Sequence, residues 1–233
     1  MLAWNEPIGK AIRWPLRLIP KSANVPILSG PNRGLKWRVG SGPTHGCWIG
    51  SYERDNALLL RSLCRPGMVV FDVGANSGYF TLLFSRASGP QGRVLAFEPD
   101  PRNLKVLRHN LQINGIENAS VVPSAVSNRD GEIAFACAGA MGRIASNGGE
   151  LVRTARLDNF HTPDLIKMDI EGEEALALLG AQRILSERRT IWLIELHDGQ
   201  AKPCIDLLQT NDYRVRNIGL NHVLAIPESY NNP

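Results

Sequence analysis

The sequence predicts an α/β fold: a mostly parallel sheet covered by helices on both faces. Strand-like and helix-like runs alternate through about 130 residues, the pattern of successive βα units. The run MVVFDV (68–73) is continuously apolar and bounded by glycine, the mark of a strand buried on both faces. The chain has 233 residues, 43% hydrophobic and 21% charged, which is enough for one such core without disulfide staples.

The elements follow in order. Through residue 50 the chain is rich in Gly and Pro, with one strand-like piece at 35–39, so residues 1–51 read as an irregular N-terminal cap on a domain spanning 52–233. ERDNALLLRSLC (53–64) has helical spacing and is ended by Arg65-Pro66-Gly67. After the strand at 68–73 come a helix GYFTLLFSRAS (78–88), a strand RVLAFEP (93–99), a helix PRNLKVLRHNLQING (101–115) and a short strand within ASVVPSAVS (119–127). Residues 132–156 are a β-rich excursion, and its Gly-rich piece AGAMGRIASNGG (138–149) reads as a mobile loop. DLIKMDI (164–170) is a further buried strand, GEEALALLGAQRILSE (172–187) one helix, and TIWLIELH (190–197) a strand. KPCIDLLQTN (202–211) is helical, and YRVRNI and HVLAIP are two closing strands.

Composition excludes several classes. No run of about 18 apolar residues is present, so a membrane-spanning helix is not expected. The first residues are interrupted by Glu6, Lys10, Arg13 and Arg17 and lack a cleavage site, so the expected location is cytoplasmic. Cys47, Cys64, Cys137 and Cys204 are far apart and form neither a zinc motif nor a disulfide framework. The net charge is +4, and the cations are spread along the chain, which disfavours nucleic acid as a partner. Residues 1–38 do carry an excess of Lys and Arg beside Trp4 and Trp14, a composition suited to peripheral membrane contact. Pro7, Pro15 and Pro20 break any long amphipathic helix there.

The first buried strand runs into Asp72-Val73-Gly74-Ala75-Asn76-Ser77-Gly78 and then a helix. Glycines at such a turn let a ligand approach the backbone, and the helix N-terminus offers free N–H groups. The next strand ends in Glu98, placed to accept hydrogen bonds from ribose hydroxyls. A dinucleotide fingerprint fails, because its other glycine positions hold Asn76 and Tyr79. Asp72 would repel a pyrophosphate but suits an ammonium, so the ligand that fits is S-adenosylmethionine.

The second constellation is Lys167-Met168-Asp169-Ile170-Glu171-Gly172, with two carboxylates at a strand's carboxyl end. Methyl transfer to a hydroxyl needs a base beside the acceptor oxygen. Asp169 is the first choice, and Glu171 serves as support or as a helix cap; alternatively the pair holds a divalent metal ion. Glu195 and His197 are expected on one side of their strand, with His197 as the alternative base because its ordinary pKa of about 6.5 suits proton removal. His45 is a weaker candidate for the acceptor pocket.

VVFDVGANSGYFTLLFS, VLAFEPDPRNLKVLRHNLQING, DLIKMDIEGEEALALLGA and IWLIELH, in that order, resemble the FkbM-type methyltransferases. The resemblance runs from about Tyr52 to Ile226. It implies a class I, Rossmann-like fold with seven strands, mostly parallel, an antiparallel closing strand and helices on both faces. It also implies S-adenosyl-L-methionine as cofactor and a hydroxylated small molecule, glycan or lipid-linked sugar as acceptor. Carried over, it places Asp72, Gly74, Ala75, Asn76 and Gly78 around the methionine part and makes Glu98 the ribose ligand. Pro99 and Asp100 then shape the adenosine edge, Ser124 and Ala125 flank adenine, and Glu53 closes over the cofactor. The alternatives are a nucleic-acid methyltransferase, which lacks its usual [ND]-P-P-[YF] motif here, and a cofactor-binding module without catalysis.

Overall fold

The structure, a computed structural model, describes residues 19, 20, 22–42, 45–136, 143–144, 149–219 and 221–230. Most of the expected Gly-rich loop, and residues 1–18 of the basic segment, lie outside the described residues. β1 (Asn24–Pro26) and β2 (Lys36–Arg38) form an antiparallel hairpin, followed by α1 (Gly46–Ile49) and α2 (Arg54–Leu63). The first βα units are β3 (Val69–Val73), α3 (Tyr79–Ser88), β4 (Arg93–Phe97), α4 (Pro101–Ile113) and β5 (Ala119–Val122). A smaller sheet contains β6 (Ala125–Val126), β7 (Gly131–Ala136), β8 (Arg143–Ile144) and β9 (Glu150–Ala155). The chain then runs through β10 (Leu165–Met168), α5 (Glu174–Leu179), α6 (Gln182–Glu187), β11 (Ile191–Glu195), α7 (Ala201–Thr210), β12 (Tyr213–Asn217) and β13 (His222–Pro227).

The main sheet has seven strands in the order β12-β13-β11-β10-β3-β4-β5. β11, β10, β3, β4 and β5 are parallel, and β13 is antiparallel to both of its neighbours. This is the class I methyltransferase fold. Strand order runs outward from β3 through β4 and β5, then returns to β10 on the other side of β3. The topological switch point, where open α/β sheets bind ligands, therefore lies between the carboxyl ends of β3 and β10. Those are the ends that carry the two sequence constellations.

Alternation along the strands divides the core into two layers. Val70, Val94, Leu165 and Leu193 face α2 and α3, and on that side Trp37, Cys47 and Trp48 of the N-terminal region pack into the same cluster as Phe80 and Leu83. Phe71, Ile166, Met168 and Trp192 face α5, α6 and α7. The helix expected over 172–187 is broken into α5 and α6 at Gly180 and Ala181. The cause is packing: a Cβ on Gly180 would sit 2.1 Å from the Ser127 carbonyl oxygen, so only glycine lets the chain approach the segment after β6 this closely. The N-terminal region is also more regular than expected, since β1 pairs with the strand-like piece at 36–38.

Candidate active site

The turn after β3 is held by the neighbouring strand. Gly74 and Ala75 donate their N–H groups to the Phe97 carbonyl at 3.0 and 2.9 Å. Gly74 has φ +82°, and a Cβ there would lie 1.8 Å from the carbonyl oxygen of Asp169. Glycine is thus required to let the ends of β3 and β10 close on each other. Asn76, Glu53 and Glu171 are non-glycine residues with positive φ, at 49°, 39° and 56°. Such conformations are costly and gather where surrounding structure enforces them at functional sites.

These segments surround a cavity of about 320 Å³, within the usual range for small-ligand sites. Gly74, Ala75, Asn76, Glu98, Pro99, Ser124 and Ala125 line one part of it, and Tyr52, Glu53, Lys167, Asp169, Glu171, Glu195 and His222 another. Trp37, Tyr79 and Phe80 give it an aromatic wall. Glu98 is held on both oxygens: Oε2 accepts from Asn76 N at 2.8 Å, and Oε1 from Asp100 N at 2.8 Å and Asn103 Nδ2 at 3.3 Å. Burial nevertheless raises its pKa to about 7 against those hydrogen bonds. Asp100 caps α4 through a bond from Arg102 N at 2.8 Å.

Four predicted residues stand elsewhere than expected. Asp72 is fully buried and absent from the cavity wall; Thr81 Oγ1 donates to it at 2.5 Å. The ammonium it faces belongs to the protein: Lys167 is its register partner on β10 and opposes the upward push of burial on the Asp72 pKa. Gly78 is also off the wall and caps α3 with φ +90°. His197 lies past the end of β11, so it does not continue the strand's alternation with Glu195. Its Nδ1 meets Glu174 Oε1 at 2.8 Å and its Nε2 lies 3.4 Å from Glu171. That contact with the buried Glu174 carboxylate outweighs desolvation and lifts the His197 pKa to about 9. The shift favours the protonated form near neutrality. His45 accepts a hydrogen bond from Trp48 Nε1 at 3.3 Å and does not line the cavity.

Two residues the sequence reading passed over are central. Lys167 is almost fully buried, with Nζ 3.3 Å from Asp169 Oδ2 and 5.1 Å from the centre of the Phe80 ring. Burial depresses its pKa, but Asp169, Asp72 and Glu53 more than reverse the effect and it is raised, so it is an ammonium ion. Its signal was a lysine inside an otherwise buried strand. His222 opens β13 and places Nε2 3.4 Å from Glu195 and 3.9 Å from Glu53. Its signal was weaker, a polar residue at the start of an apolar strand. Two groups thus bring metal-ligand atoms within 4.8 Å of one another: Glu53, Glu195 and His222, and Asp169, Glu171 and His197.

A seven-stranded class I sheet with a glycine turn, a ribose-type acid and carboxylates at its switch point defines a methyltransferase that uses S-adenosylmethionine. Residues 72–215 match the methyltransferase FkbM domain family, and the chain belongs to that family. It is 26% identical over 178 residues to 2-O-methyltransferase NoeI of Sinorhizobium fredii, covering 62% of this chain and 72% of that protein. It is 54% identical over 46 residues to 31-O-demethyl-FK506 methyltransferase FkbM of Streptomyces tacrolimicus, covering 20% and 17% respectively. The crystal structure of methyltransferase FkbM from Methylobacillus flagellatus has a similar fold, with a TM-score of 0.55 and 18% identity. That likeness covers 80% of this chain and 56% of the other.

Proposed function

We propose that the protein transfers the methyl group of S-adenosylmethionine to a hydroxyl of a small molecule, glycan or lipid-linked sugar. The observation that carries this reading is the cavity at the switch point, with Glu98 at one part of its wall and the Asp169 carboxylate at another. Glu98 takes the ribose hydroxyls, the 74–78 turn the methionine part, and Pro99, Ser124 and Ala125 the adenine. Asp169 accepts the proton of the acceptor hydroxyl as the oxygen attacks the sulfonium methyl. Lys167 holds the carboxylate in place, and Glu171 with the protonated His197 bounds its other side. Alignment and exclusion of water supply much of the rate in such an in-line displacement, up to ~7–11 kcal/mol. The two relatives named above, a 2-O-methyltransferase and a 31-O-demethyl-FK506 methyltransferase, support oxygen as the acceptor atom.

A divalent ion on Asp169, Glu171 and His197 is the second reading, favoured by their mutual reach. It competes with Lys167 for Asp169, and activity before and after EDTA treatment decides between the two. The test of the main reading combines calorimetry of cofactor binding with transfer of labelled methyl groups to a panel of glycosides and phenols. Asp169→Asn is expected to keep cofactor affinity within about threefold and to lose at least 100-fold in turnover, the scale of general-base catalysis. Full activity in that variant rejects the proposed base, and failure of the wild type to bind the cofactor rejects the reading altogether.

A further inference from the structure

Acidic residues are unevenly distributed along the chain. Three stretches of the sequence, 7–52, 73–97 and 101–116, contain no aspartate or glutamate. The fold packs their described parts together. Lys36 N and Arg38 N donate to Asn114 Oδ1 and Asn110 Oδ1 of the α4 segment, at 2.7 and 3.1 Å. His109 of α4 meets Asn24 of β1 at 2.9 Å, and Arg86 of α3 donates to the Arg33 carbonyl at 2.8 Å. Arg33, Lys36, Arg86, Lys105 and Arg108 are all exposed on these segments. The carboxylates Glu53, Glu98, Asp169, Glu171, Glu173 and Glu195 line the cavity instead. A surface built from acid-free segments attracts anions without competition from its own side chains.

We propose that the face formed by the β1–β2 hairpin and the outer side of α4 docks on an anionic lipid surface. An apolar group on the hairpin connection favours lipid over nucleic acid. Leu28 is 56% exposed on the hairpin connection that also carries Arg33, and that connection is closed by Gly34 N donating to the Ile27 carbonyl at 2.9 Å. A leucine beside guanidinium groups has an apolar layer to enter at a bilayer and none along a phosphodiester backbone. The chain leading into β1 is of the same kind, with Trp4, Trp14, Leu16 and Leu18 interspersed with Lys10, Arg13 and Arg17. It joins the fold at this face, because Asn24 is in contact with α4. On β2, Trp37 lines the cavity while its neighbours Lys36 and Arg38 alternate to the other face, so the docking face and the cavity lie on opposite sides of this strand. The inference holds whatever the acceptor proves to be.

The test is cosedimentation of the full chain with vesicles of phosphatidylcholine containing 30% phosphatidylglycerol (about one lipid in three), against phosphatidylcholine alone. Binding to the anionic vesicles only, weakened by salt, is expected. A variant with R33E, K36E, K105E and R108E should lose about 100-fold in partitioning, and Leu28→Ser several-fold, with cofactor affinity unchanged in both. Unchanged cofactor affinity separates loss of docking from loss of folding. The proposal is overturned if anionic vesicles are not bound, or if neutral ones are bound equally. It is equally overturned if the four-residue variant retains binding, or if a short RNA duplex is bound more tightly than the vesicles.

Discussion

Glu98 is poised between two protonation states by opposed forces. Burial favours the neutral acid, whereas two backbone N–H donors and Asn103 favour the carboxylate, leaving its pKa at about 7. With Glu98 as the proposed ribose ligand, the hydroxyls donate to a carboxylate, and the cofactor would select the charged form. Affinity for S-adenosylmethionine is therefore expected to fall about tenfold as pH drops from about 8 to about 6, by proton linkage. Calorimetry at several pH values checks this, and Glu98→Gln should flatten the profile. The sign follows from a raised carboxylate pKa: the proton is bound in the free protein and must leave on binding. Lys167 illustrates the reverse case, a buried cation kept charged by the three carboxylates around it. Removing such an ion alone leaves buried charge uncompensated, which is why it cannot be read as a mere filler of the strand.

At the scale of elements, the break between α5 and α6 rests on one missing Cβ. Gly180→Ala would place a carbon 2.1 Å from the Ser127 carbonyl oxygen. A loss of about 1–3 kcal/mol is expected from overpacking, measured by denaturant unfolding. This break was not legible in the sequence, because the apolar spacing of 172–187 continues across a glycine that helices often tolerate. The buried strands and the glycine turn were legible, since their signals are local: an apolar run, then glycine, then helical spacing. Positions of polar side chains beyond a strand's last ladder bond were not. Alternation put His197 beside Glu195, but β11 ends at Glu195 and the chain turns, sending the two residues to different clusters. Asp72 was expected to face the cofactor's ammonium. Only the register of β3 against β10, a contact nearly a hundred residues apart in the chain, shows that Lys167 occupies that place.

For the whole molecule, the N-terminal region is tied into the fold that holds the cofactor-side turn. Trp37 is fully buried, stacks edge-on against Tyr79 at 6.1 Å, donates Nε1 to the Ser41 carbonyl at 3.1 Å and lines the cavity. Asn32 Nδ2 donates to the Tyr79 carbonyl at 2.8 Å, anchoring the hairpin to the first turn of α3. Trp37→Ala is expected to cost about 3–5 kcal/mol in unfolding experiments and to weaken cofactor binding as well. A region that merely covered the domain would lose its own order and leave cofactor affinity intact, so measuring both quantities on one variant tells the two apart.

The strand that brings His222 to Glu195 and Glu53 is the last among the described residues, yet it sits inside the sheet between β11 and β12. During synthesis the ribosome releases the glycine turn, Glu98 and Asp169 well before residues 222–227. Until that final strand emerges, the edge of β11 stays unpaired and one wall of the cavity is missing. A chain cut short of residue 222 would therefore carry both signature motifs without a closed pocket.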